Sequence, residues 1–171
     1  MTPRGSQPGG PDAPAVNVTA NEAAAFSEKV FGGRLPTPAE WDHAAGLRDH
    51  QQDQRTVTLP SGSARLDRTE PAPTHGPEAG TDVNVFGLRD TAGNGREWTR
   101  AVLPGRSQPL RFVDGPNFVP GALVIFRGRD YTLSDRLTFE MLTSEAKDPQ
   151  QTQFADKPTL HTGFRVVVPV P

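Results

Sequence analysis

The chain has 171 residues, which fits one domain, and its 18 Lys and Arg against 20 Asp and Glu leave a net charge of −2. That balance argues against a nucleic-acid surface and against polybasic attachment to a membrane, and no apolar run approaches the roughly 18 residues of a membrane span. Hydrophobic residues make 34%, with 17 glycines, 18 prolines and no cysteine, so the core is small, loops are extensive, and disulfides, thiolate metal sites and cysteine catalysis are excluded.

Residues 1–14 (MTPRGSQPGGPDAP) read as a flexible leader without the apolar stretch of a signal peptide, so a soluble, cytoplasmic protein is the default expectation. A single domain follows over 15–171. Thr19 and Glu22 form a capping box before a helix over residues 21–30, with Ala23, Phe26 and Val30 on its apolar face and Gly32-Gly33 as its stop. Thr37 and Glu40 form a second box, with Pro38 at the first helical position, Trp41, Ala44 and Ala45 as the apolar face, and Gly46 as the stop.

Residues 50–81 contain no aromatic residue and are punctuated by proline and glycine; they read as a long, irregular surface excursion. After Asn84 the pattern turns to β. Short strands are expected at 110–113, 122–126 and 163–168, the last as a buried central strand. Residues 127–162 read as polar loop with one possible helical turn at 137–142.

The run from Asn84 to Thr99 (NVFGLRDTAGNGREWT) holds the clearest chemistry. Asp90 and Glu97 are hard oxygen donors, and Gly93 and Gly95 free the backbone between them to turn its carbonyls inward. Carboxylates and main-chain oxygens on an irregular loop are what calcium requires. Arg34, Arg96 or Arg100 could satisfy the same carboxylates instead, and Arg34 and Arg165 suit either an anionic ligand or loops tied to carboxylates. Trp41 and Trp98 read as core residues, with sugar stacking as the competing role.

Several segments, taken in order, resemble the formylglycine-generating-enzyme family, also called the sulfatase-modifying-factor domain. They are Val16-Asn17-Val18, Gly33-Arg34-Leu35-Pro36-Thr37-Pro38-Ala39-Glu40-Trp41, the Asn84–Thr99 run, Phe126-Arg127-Gly128, and Gly163-Phe164-Arg165-Val166. The resemblance implies an α+β fold, a variant of the C-type-lectin fold with two short helices, small antiparallel sheets and long loops. It implies a structural calcium held by the Asp90 side chain, the Gly93 and Gly95 carbonyls and the Glu97 carboxylate. A second family calcium site needs an Asn-aromatic-Gly stretch that residues 50–81 lack.

Activity is a separate matter. The aerobic members hold copper with two cysteines late in the domain; here that region offers Ser134 and Thr138, whose hydroxyls cannot replace thiolates on Cu(I). Related sulfoxide synthases use three histidines on iron, whereas His43, His50, His75 and His161 have no metal-ligand spacing. The resemblance therefore implies no catalytic residue and a non-catalytic ligand- or protein-binding module. Such a module could be the variable protein of a diversity-generating retroelement or an appendage of a kinase in a larger bacterial protein. The competing expectation is an oxidoreductase with altered metal ligands. The candidate ligand face comprises Arg96, Arg129, Asp130, Tyr131, Asp135, Arg136, Glu140 and His161, on the C-terminal loops where the fold carries its groove.

Overall fold

The computed structural model describes residues 12–46, 68–74, 83–84, 86–91, 93–105, 108–134 and 152–170. The leader up to residue 11, most of the 50–81 excursion and the possible turn at 137–142 lie outside these residues.

Helix α1 spans Ala20–Phe31 and opens on the Thr19 capping box. It ends at Gly32, whose left-handed φ of 60° lets the Gly32 and Gly33 amides reach back to the Glu28 and Ser27 carbonyls. Its buried face is Ala20, Ala23, Ala24 and Ser27. Phe26 and Val30, expected to face the core, are instead 45% and 57% exposed. The alanine stripe permits close approach to the sheet and leaves the larger side chains outside, where Phe26 packs edge-on against Phe31 and Phe164. Helix α2 spans Pro38–Ala44, with the expected Thr37–Glu40 box and Trp41 buried beneath it.

Among the described residues five strands form one sheet: β1 (Gly95–Val102), β2 (Arg111–Phe112), β3 (Leu123–Arg129), β4 (Thr152–Phe154) and β5 (Thr162–Gly163). The order is β2-β1-β3-β4, antiparallel, with β5 lying parallel to the start of β1. Two expectations need correction. The central strand is β1, hidden in the sequence behind glycines and charges. The 163–168 run is not a central strand: it pairs only at its first residue, makes one bridge between Arg34 and Val167, and ends with Val168 exposed.

Trp98 and Phe126 face each other across β1 and β3 and meet edge-to-face at 6.4 Å. With Leu35, Phe118, Val124, Ala155 and the α1 alanines they make the core on one face of the sheet. On the other face α2 brings Asp42 to Arg127 of β3 (Nε to Oδ1, 2.8 Å). Between β1 and β3, Gly128 has φ +84°, and a Cβ there would sit 2.9 Å from the Gly95 carbonyl and 3.6 Å from the Trp41 ring. Glycine thus permits the strands and α2 to close together.

Asparagine side chains hold the loops. Asn21 bonds both the carbonyl and the amide of Phe118, and Asn94 does the same to Ala72. Each amide acts as a substitute peptide group where no neighbouring strand exists. Pro71 and Ala72 are consequently buried, whereas residues 68–70 of the same excursion are exposed.

Candidate functional site

Loop 84–95 is shaped by Asn84, whose Oδ1 accepts from the amides of Phe86 and Leu88, both at 3.0 Å, while its Nδ2 donates to the Ala44 carbonyl at 2.6 Å. Asp90 (φ 57°) and Asn94 (φ 65°) then take left-handed backbone, as asparagine and aspartate tolerate best among non-glycine residues. Asn94 Nδ2 also donates to Asp90 Oδ2 at 3.1 Å. The loop ends by entering β1 at Gly95, which places Glu97 on the α2 face.

Glu97 has protein donors on both oxygens. Arg165 Nε donates to Oε2 at 2.5 Å and Arg165 Nη2 to Oε1 at 2.6 Å. Trp41 Nε1 also donates to Oε2 at 2.6 Å. Arg165 reaches on to the Arg89 carbonyl at 3.1 Å, so one guanidinium ties the start of the loop to the strand that follows it. The bidentate fork is the strong form of this pair. The two side chains are only 14% and 23% exposed, which limits screening.

Asp90, Gly93, Gly95 and Glu97 line one pocket of about 290 Å³, together with Arg96, Arg165 and the 14–16 segment. The Glu97 carboxylate sits in a guanidinium fork, and a dication at that point would share it with Arg165 or displace Arg165. Among the described residues no three His, Asp or Glu side chains converge as a metal site.

The second group of candidates gathers at one end of the sheet. Arg96 stands opposite Gly128 in register, its amide donates to the His161 carbonyl at 2.8 Å, and its guanidinium lies over the Phe126 ring at 4.8 Å. Burial pulls that guanidinium below its ordinary pKa; Asp130 opposes the effect and Arg129 adds to it. Asp130 is buried and accepts from the amide and hydroxyl of Thr132 at 3.0 and 2.9 Å. His161 Nδ1 lies 3.4 Å from Asp130 Oδ1, close enough for charge interaction but without hydrogen-bond geometry. The His161 ring tilts against Tyr131 at 5.0 Å, and burial raises the Tyr131 phenol, with Asp130 and Glu70 adding to the shift.

Arg96, Arg129, Asp130, Tyr131 and His161 therefore come together from three segments. Asp135, Arg136 and Glu140 lie outside the described residues. Trp41 and Trp98 are 2% and 0% exposed, so neither offers a face for a sugar. Arg34, like Arg165, ties a carboxylate: it pairs with Glu40 at 2.6 Å and holds that acid down to about 2, with the Thr37 cap adding to the shift. Two partners were not legible beforehand, Trp41 as a donor to Glu97 and Asn94 as the anchor of Ala72. An asparagine between two glycines was the available signal for the second.

Two short helices against a small, mainly antiparallel sheet, with a loop clasped to the central strand by Glu97, define an α+β scaffold of the formylglycine-generating-enzyme type. The model of the sulfatase-modifying factor enzyme 1-like domain matches residues 2–170, and the chain belongs to that family. A curated relative, the formylglycine-generating enzyme of Streptomyces coelicolor, is 30% identical over 145 residues, covering 74% of this chain and 45% of the relative. The chain thus spans less than half of that protein's length. The crystal structure of CarF superposes with a TM-score of 0.55 at 19% identity over 95% of this chain and 70% of CarF, a likeness of fold alone. No helix among the described residues is long and apolar enough to cross a membrane.

Proposed function

We propose that this chain is a non-catalytic ligand- or protein-binding module on the family scaffold. The observation that carries the reading is the gathering of Arg96, Arg129 and His161 from three distant segments at one end of the sheet, over Asp130 and Tyr131, which are buried beneath them at 5% and 2% exposure. Charged and aromatic groups on loops fixed to a rigid strand are the usual material of a recognition face. The chain has no cysteine with which to hold Cu(I), so the copper chemistry that the resemblance implies for the aerobic members has no thiolate ligands within it.

Oxygen uptake with copper and a cysteine peptide as substrate tests the reading. The module reading expects uptake no faster than free copper gives. Turnover that requires the folded protein contradicts it. In a sharper form, the module is the variable protein of a diversity-generating retroelement or an appendage of a kinase. Sequencing the locus in independent isolates tests the first: variation confined to about residues 96–161 supports it, and even variation along the chain opposes it.

A further inference from the structure

We propose that the Arg96 guanidinium, laid on the Phe126 ring, anchors an oxyanion subsite that takes a carboxylate- or phosphate-bearing ligand. This rests on the binding-module reading and names the ligand class of the same face. Most other described arginines already have partners. Arg34, Arg100, Arg127 and Arg165 each pair with a carboxylate, of Glu40, Asp114, Asp42 and Glu97 respectively. Arg89 and Arg129 carry further interactions of their own, and Arg68 and Arg111 are exposed to water. Arg96 differs. It is half-buried, and among the described residues its guanidinium has the Phe126 ring and no carboxylate or carbonyl acceptor.

The ring contact, 4.8 Å from Cζ to the ring centroid, gives the N–H edge of the guanidinium no acceptor. That edge carries the planar set of N–H donors that matches a carboxylate or phosphate. A partly desolvated cation without an acceptor is destabilising on its own and gains more from an incoming anion than an exposed one does. Asp130 is the acid within electrostatic reach, but its Oδ1 already accepts twice from Thr132 and faces His161. The adjoining Arg129 offsets the Asp130 charge toward an approaching anion. His161 stands beside it: its buried Nδ1 makes no hydrogen bond but lies 3.4 Å from Asp130 Oδ1, and its carbonyl receives the Arg96 amide. Arg96 also belongs to the wall of the 290 Å³ pocket, but that pocket holds Asp90 and Glu97 and is not lined by Phe126, Asp130 or His161, so the anion is placed at the Arg96–His161 end of the sheet and not inside the pocket.

The test titrates wild type, Arg96→Gln and Arg96→Lys with succinate and with inorganic phosphate at constant ionic strength, chloride being the reference anion, and reads amide and guanidinium NMR shifts. Saturable shifts centred on Arg96 and His161 are expected. Arg96→Gln weakens them by at least about tenfold, and Arg96→Lys keeps the charge but loses the fork, so carboxylate binding suffers more than phosphate binding. Response to succinate alone assigns a carboxylate ligand, and response to phosphate alone a phosphorylated one. No saturable response beyond chloride, or equal binding by folded Arg96→Gln, overturns the subsite. Should Arg96→Gln not fold, unchanged succinate binding by Arg96→Lys overturns it equally. The oxygen-uptake experiment is independent: its failure removes the module reading, whereas failure here removes only the ligand class.

Discussion

Replacing Glu97 with glutamine keeps the shape of the side chain and removes its charge, so it isolates the clasp between β1 and the end of the chain. In the native protein Glu97 accepts two N–H groups from Arg165 and one from Trp41. Glutamine retains one acceptor oxygen and turns an NH2 group toward donors. Breaking a fully buried pair by removing one partner costs about 3–5 kcal/mol. With the two side chains 14% and 23% exposed, water takes up part of the freed charge, and about 2–3 kcal/mol is expected. The disturbed Trp41 hydrogen bond adds about 1 kcal/mol. A total near 3–4 kcal/mol lowers the melting temperature by roughly 8–12 °C for a chain of this size. Urea unfolding of Glu97→Gln, Arg165→Gln and the double variant measures it, with a coupling energy of about 2 kcal/mol expected between the two sites. A single variant within about 0.5 kcal/mol of wild type would refute the reasoning, because that is the range of an unremarkable surface change.

Trp98 is fully buried against Phe126, and Trp98→Ala should destabilise by about 3–5 kcal/mol in the same assay. A near-native midpoint would mean that the ring is not a core element. Asn94→Ala removes both bonds to Ala72 and leaves that buried peptide unpaired, costing about 1–3 kcal/mol; hydrogen exchange at Ala72 should accelerate well beyond any change in β3, and uniform acceleration would contradict a local anchor. Glu40 is held down from the ordinary 4.5 to about 2, so its stabilisation is complete above the unfolded value and is lost as pH falls from about 4.5 to 2. Glu40→Gln keeps the capping box and removes this dependence, and melting curves of the two proteins should converge near pH 2. The pair is more than a third exposed, so the gap at neutral pH should stay under about 1 kcal/mol. A gap that instead widens toward low pH would reverse the sign assigned to this group.

Local chemistry was the most legible part of the sequence. Both helices announce themselves through caps, because a Thr side chain and a Glu three residues later act within one turn and need nothing from the rest of the fold. The buried face of α1 was not legible by size. Phe26 and Val30 outrank alanine in hydrophobicity, yet the sheet approaches too closely for them and selects Ala20, Ala23 and Ala24. Strand β1 was obscured because its two faces carry unlike partners: Trp98 faces the apolar core, while Glu97 faces α2 and Arg165. Its alternation of burial is further interrupted by a shift in register between Trp98 and Val102. The 163–168 run looked like a core strand because it is apolar, but the β1 edge it joins is shared with β2 and accepts only two residues in register.

The candidate site divides the same way. The loop from Asn84 to Glu97 was visible as a constellation of carboxylates and glycines, and the framework role of Arg34 and Arg165 was one of the two readings open to them. Which arginine meets Glu97 depends on a contact across 68 positions, and sequence spacing carries no information about that. Five of the eight proposed recognition residues meet in space because β1 receives β3 on one edge and β5 on the other.

A protein guanidinium, that of Arg165, serves as the cation that holds the loop to the sheet. A crystal structure from crystals grown in millimolar calcium tests this most directly. Arg165 bidentate on Glu97, with Trp41 on the same carboxylate, is the expected result. A calcium ion bound by Asp90, Glu97 and the Gly93 and Gly95 carbonyls, with Arg165 turned away, would contradict it.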